Sequence, residues 1–475
     1  MTPSPYGSRV RRALAVLLVC AAPACTVGVR RAASPSPPPH APTATAPACD
    51  TAYAKPDPKR PVIRLAFDLD DAHARVTGTE HVVFTPDLPV TEVVFRLWPN
   101  GPASRANGAR LDVTVMSLPP ALSEGDTLLS LKLPAPSPAG RAITVDLDFV
   151  LTLPRSDTDR YGHTARTAWW ASGHPLLAWV RGAGWAREPA AGVLGETATS
   201  EVADYDVTVT APAGDTVLGG EASDLAPAPT SPDGRPSSRF HNALARDVAV
   251  AVGPFETRQV RVAGVPVLVA VSAELATGTD AEAVFGPVLE NVTSALRSHA
   301  TRFGPYPFPS LTVVALDAIG GAGVEYPGFV FVGSRRYDLV VPHELAHQWF
   351  YGLVGDDQAR DPWLDEAFAT YAEQLANDEE DRDLASLDAR GDVGAPMTYW
   401  DRNRRDYGTI VYAKGAAALL SARDEIGAAA FDGVIRCYVA ANAFRVATPA
   451  DLARAFAAFP NVLTILRDTG ALPKP

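Results

Sequence analysis

The hydrophobic period of this chain changes near residue 271, and that change bounds its architecture more tightly than any other feature. Upstream, short runs such as VIRLAFDL, HVVFTPDL (81–88), EVVFRLW (92–98), ITVDLDFVL (143–151), DYDVTVTAP (204–212) and DVAVAVGPF (247–255) are rich in Val, Phe and Thr and are separated by Gly, Pro and Asp. Such runs, bounded by turn formers, read as strands, so residues 49–270 are expected to form a predominantly β domain. The stretch 155–200, with Trp169, Trp170, Trp179 and Trp185, has no clean period and reads as loops facing the next domain. Downstream, AEAVFGPVLENVTSALRSHATRF (281–303) carries apolar residues at helical spacing. Two strand-like runs follow, LTVVAL (311–316) and FVFVG (329–333), and helical segments dominate from 340. Residues 271–475 are therefore expected to be an α+β domain, mainly helical, which makes the whole a multidomain β plus α+β chain. A length of 475 residues leaves room for two or three domains at about 150 residues each.

Residues 1–25 are set apart from this fold. Arg9, Arg11 and Arg12 precede a short apolar stretch, Ala13 to Ala22, too short to span a bilayer. Ala22-Pro23-Ala24-Cys25 then reads as a signal-peptide cleavage site of lipoprotein type, with Cys25 as the lipidated residue; an ordinary secretory signal is the alternative. Residues 26–48, rich in Pro, Ala, Ser and Thr, read as a disordered tether. An exported chain, lipid-anchored on the outer face of the cell membrane or else secreted, is the expectation. With Cys20 and Cys25 in the leader, Cys49 and Cys437 remain in an oxidising setting, either bridged to each other or as separate thiols. The formal net charge of -12 argues against a nucleic-acid partner, which would need a basic face. It leaves the oligomeric state open.

The chemistry concentrates at His343-Glu344-Leu345-Ala346-His347. On a helix, positions i and i+4 share a face, so both imidazoles can reach one ion, with Glu344 beside the first of them as general base. Eighteen residues separate His347 from Glu366, in Trp363-Leu364-Asp365-Glu366-Ala367-Phe368-Ala369. A third ligand has to come from a second element, and a set of two His and one Glu leaves a coordination position open, as a catalytic zinc site requires. Glu373 lies seven residues after Glu366 on the same helix face. It either accepts the other ring N–H of a ligand histidine or lies in solvent.

This HExxH-x18-E pattern, with WLDEAFATYAE around the third ligand, resembles the aminopeptidase N family of gluzincin zinc metallopeptidases. Asp365 stands where that family usually has Asn, and Ala367 where it usually has Gly. The family's Gly-x-Met-Glu-Asn segment, whose Glu binds the free α-amino group of the substrate, matches Ala322-Gly323-Val324-Glu325-Tyr326-Pro327 in the Glu alone. Its Tyr-x-Lys-Gly segment matches Tyr412-Ala413-Lys414-Gly415. The resemblance thus implies Glu325 as amine-binding residue, Tyr412 as oxyanion donor, one zinc per chain, and peptide substrates. It also implies a β-saddle domain followed by a thermolysin-like catalytic domain. Family members often carry a large C-terminal helical domain over the site, and the chain stops at Pro475, so a more open cleft is expected. The expected activity is removal of N-terminal residues from peptides. A zinc endopeptidase of the same fold, or a surface-binding homologue without catalysis, is the alternative.

Overall fold

The computed structural model describes residues 48–474, apart from 116–117, 156–159, 194–198, 221–225, 229, 232, 279 and 378–383. The leader with Cys25, and the tether up to residue 47, lie outside the described residues.

Strand Val62–Leu69 shows why the first part is sheet: Ile63, Leu65, Phe67 and Leu69 face a core while their neighbours face out. It pairs parallel to Ala203–Thr210 and antiparallel to Arg75–Phe84 within a seven-stranded sheet. Residues 155–200, expected as loops, contain strands instead. Ala168–Ala171 pairs with Tyr161–His163 and with Ala249–Gly253, so Trp169 and Trp170 are buried on opposite faces of a strand. Trp179 and Trp185 pair across two short strands, with ring centroids 4.7 Å apart. The aromatic bulk that masked the strand pattern is what fills this core.

A second sheet has the order Phe255–Val262, Val265–Ser272, Leu311–Ala315, Phe329–Val332, Gly323–Tyr326. It begins upstream of the change in period, because Phe255–Val262 and Val265–Ser272 form a hairpin whose second strand pairs parallel with Leu311–Ala315. Both faces are covered, which accounts for runs as apolar as LTVVA and FVFV. Val269, Val271, Val313 and Val330 pack on the helices. Leu268, Ala270, Val314 and Phe331 pack on Trp169, Leu218 and Ala251 of one upstream four-stranded sheet. Gly323–Tyr326 is the edge strand.

The helix Ala281–Phe303 is capped by Asp280, which accepts from the Glu282 N–H, and ends at Gly304, whose φ of 110° suits glycine. It lies against the helix Tyr337–Ala346, to which His299 donates at 2.9 Å through the Pro342 carbonyl. Burial lowers the His299 pKa to about 4 and keeps that ring neutral.

Arg246 joins the sheet-rich and helical parts. Its fully buried guanidinium donates to the carbonyls of Tyr351 (2.9 Å), Ser200 (2.8 Å) and Arg445 (2.6 Å). A second tie comes from the segment that opens the described residues. A disulfide joins Cys49 to Cys437 on the helix Ala428–Asn442, the Ala54 N–H donates to the Ala440 carbonyl at 2.9 Å, and the Trp349 indole donates to Tyr53 Oη at 3.3 Å.

Candidate metal centre

His343 lies in the last turn of the helix Tyr337–Ala346, and His347 is its C-cap with helical backbone angles, so the two rings share a face. Their centroids are 4.9 Å apart. Glu366 comes from the first turn of the helix Trp363–Ala376, packed beside them. Its Oε2 lies 3.1 Å from His343 Nε2 and 3.8 Å from His347 Nε2. Donor atoms of all three residues fall within 4.8 Å of one another.

The opposite ring nitrogens face carboxylates. His343 Nδ1 is 3.2 Å from Glu373 Oε2, and His347 Nδ1 bonds to Asp365. Asp365 in turn accepts from Gln358 Nε2 at 2.9 Å, and both residues are fully buried. Each imidazole therefore points Nε2 inward and is held from behind by an acid, the arrangement that orients metal-ligating histidines. Burial opposes charge on both rings but is outweighed. Glu366 and Glu373 hold His343 well above the usual histidine range, and Asp365 brings His347 up to about 9. Negative potential that attracts protons here attracts a divalent cation equally, and a set of two His and one Glu suits zinc. The residues present fit that ion.

Glu344 and Glu325 complete the centre. Donor atoms of Glu325, Glu344 and His347 lie within 4.8 Å of one another, and both acids are about 95% buried. Glu325 is on the edge strand Gly323–Tyr326, in register with Val330. The preceding Gly323 leaves room for Glu344, since a Cβ there would come within 2.4 Å of Glu344 Oε1.

Tyr412 sits in a π-helical segment, Gly408–Lys414, a wide turn that recurs at functional sites. Its hydroxyl donates to Glu366 Oε1, and its ring stacks on His343 at 5.9 Å and 8°. Two neighbours fix the segment. Lys414 Nζ donates to the carbonyls of Ala389 and Gly391, each at 2.8 Å. Gly415 touches Ala367, where a Cβ would approach the Ala367 methyl to 2.5 Å, so any side chain at 415 would push the Glu366 helix away.

The structure thus brings His343, Glu344, His347, Glu366, Glu373, Glu325 and Tyr412 to one place. Sequence reasoning missed the role of Asp365. The signal was its position directly before the third ligand, in the helix turn that faces His347. It also missed Gln348, whose side chain accepts from the Gly328 N–H at 2.8 Å and donates to the Tyr326 carbonyl at 3.0 Å, tying the edge strand to the residue after His347.

Residues 288–467 match the peptidase family M1 domain. Aminopeptidase M1-A of Oryza sativa subsp. japonica is 28% identical over 179 residues, 31% of this chain and 20% of that protein. Aminopeptidase N of Homo sapiens is 34% identical over 89 residues, 16% of this chain and 9% of that protein. The chain thus spans a fifth or less of the length of these curated relatives. Among solved structures, an M1 zinc metallopeptidase variant from Deinococcus radiodurans, bound to a Tyr-Ser-Ala substrate, superposes with a TM-score of 0.64 at 20% identity. That match covers 90% of this chain and 98% of the other, so the fold of the sheet-rich and helical parts is shared nearly throughout.

Proposed function

We propose that this chain, a member of the aminopeptidase N-like gluzincins by its M1 domain over residues 288–467, is a zinc aminopeptidase that removes N-terminal residues from peptides. The observation that carries this reading is the convergence of His343 Nε2 and His347 Nε2 on Glu366 Oε2, with Glu344 and Glu325 beside His347. On this reading the saddle-like β domain ends near residue 254 rather than 270, because Phe255–Val262 and Val265–Ser272 share a sheet with Leu311–Ala315 of the thermolysin-like domain.

His343, His347 and Glu366 would hold one zinc ion per chain, which when bound polarises a carbonyl and acidifies a water. Glu344 takes the proton of the attacking water and later hands it to the leaving amine. Tyr412 turns its hydroxyl from Glu366 to the oxygen on which charge develops. Glu325 receives the substrate's ammonium group in a charge-assisted contact, so the scissile bond is counted one residue from the free end. The decisive test is metal removal from the full-length protein. Chelation is expected to abolish hydrolysis of fluorogenic aminoacyl substrates, and added zinc to restore it in proportion, saturating at one ion per chain. Full activity in metal-free protein would end this reading.

We further propose export with a lipid anchor at Cys25. The leader pattern supports it, as does the Cys49–Cys437 bridge, since disulfides persist in oxidising compartments. Cys25→Ser is expected to move the protein from the membrane fraction to the soluble one. An unchanged membrane fraction would count against the anchor.

A further inference from the structure

A line of buried polar groups runs from the edge strand into the sheet-rich part. Tyr326 Oη lies 3.0 Å from Ser172 Oγ, and Ser172 donates to Asp247 Oδ2 at 2.5 Å. His174 Nε2 is 3.2 Å from Asp247 Oδ1, and His174 Nδ1 is 3.4 Å from Glu80 Oε2. All five side chains are at most 2% exposed. The direction of each bond follows from the donors available. Asp247 only accepts, so the single Ser172 proton goes to it, and Ser172 Oγ must accept from Tyr326. The acids on either side outweigh burial and raise His174 to about 10, while burial raises Glu80 as well; His174 Nδ1 also lies 3.1 Å from the Pro175 carbonyl, so each ring nitrogen faces an acceptor. Asp247 Oδ1 also accepts from the Val248 N–H at 2.7 Å.

Such a line is expensive to bury, and its return is a fixed geometry rather than net stability. Its only member on the metal-site side is Tyr326. That residue follows Glu325 on the same strand, so their side chains point to opposite faces. Glu325 faces His347, while Tyr326 faces the core shared with Trp169 and Ala171. The Tyr326 carbonyl is held by Gln348, next to His347. Strained backbone flanks the tyrosine. Ser172 has φ 50°, and Tyr351, whose ring meets Tyr326 edge-on at 6.4 Å, has φ 101°. Both are non-glycine residues in left-handed territory, and such conformations gather where position matters to function.

We infer that Ser172 and Asp247, braced by His174 and Glu80, are positioning residues that act through Tyr326 to set where Glu325 meets the substrate's amino terminus. This rests on the reading of Glu325 as the amine site. The line touches no metal ligand, so its loss should leave zinc content and the proton chemistry of Glu344 in place.

The test compares full-length, zinc-loaded wild type with Ser172→Ala, Tyr326→Phe, the double variant, and the shape-preserving Asp247→Asn. The substrates are fluorogenic aminoacyl compounds with free and with acetylated amines. Each single variant is expected to raise KM for free-amine substrates about tenfold, with kcat within about twofold and zinc content unchanged. The double variant should match Ser172→Ala, because that change already removes the hydrogen bond that Ser172 shares with Tyr326. Unchanged KM in all variants, with only a lowered melting temperature, would reduce the line to a structural feature and overturn the inference. Equal cleavage of free and acetylated substrates by wild type would instead remove the amine reading, and the positioning role with it.

Discussion

Glu344→Gln is expected to leave zinc content and folding intact while lowering kcat by roughly 10³-fold, within the 10²–10⁴ range of positioned acid–base groups. The amide has the size and shape of the acid but no basic oxygen. Glu344 is outside the His343–His347–Glu366 donor set, so the metal loses no ligand. Its carboxylate also stands in the space that Gly323 leaves open, and an amide fits there without displacing the edge strand. Zinc content by elemental analysis and kcat on an aminoacyl substrate check this together. Near-normal turnover in the variant would end the assignment of Glu344 as base. Loss of both zinc and activity would mean that the residue serves the metal instead.

Tyr412→Phe is expected to lower kcat by about 10²–10³-fold with little change in KM, the cost of removing one oxyanion donor. The substitution is clean because the ring is held independently of its hydroxyl. Stacking on His343, the Lys414 anchor and the close contact of Gly415 with Ala367 all survive it. The hydroxyl donates to Glu366 Oε1, so the donor already stands beside the proposed metal ligands and has only to turn toward substrate. Zinc affinity, read by chelator competition, should stay close to wild type. A kcat within about twofold of wild type would exclude the oxyanion role. A fall in kcat matched by a fall in zinc occupancy would show that the hydroxyl serves Glu366.

What could be read from the chain beforehand follows from the range of the interactions involved. The His343–His347 pair is a matter of local helix geometry, and Glu373 follows from Glu366 by the helical period, so both were visible as spacing. Glu325 and Tyr412 come from separate elements and were reachable only through a resemblance in short segments. Asp365 passed as a mild replacement for Asn because a one-letter difference does not reveal which histidine lies behind it. The line from Tyr326 to Glu80 joins five residues from four separate parts of the chain, with only Ser172 and His174 near each other in sequence, so no period reveals it. The departure from the family's Asn at position 326 was visible, but not that a phenol there reaches Ser172. Residues 155–200 were misread as loops because strands of two to four residues are too short to alternate visibly. For Cys49 and Cys437 the pairing was one of two options, since only folding brings positions 388 residues apart into contact.

The proposed function requires a centre that cleaves next to a free amino terminus. The most direct measurement is hydrolysis by the full-length, zinc-loaded protein of a panel of fluorogenic aminoacyl substrates, each with its amine free and acetylated. The predicted result is cleavage of the free-amine series alone, with a preference among first residues. Cleavage of both series at equal rates would contradict the amine site and favour an endopeptidase, and cleavage of neither with zinc bound would contradict the aminopeptidase itself.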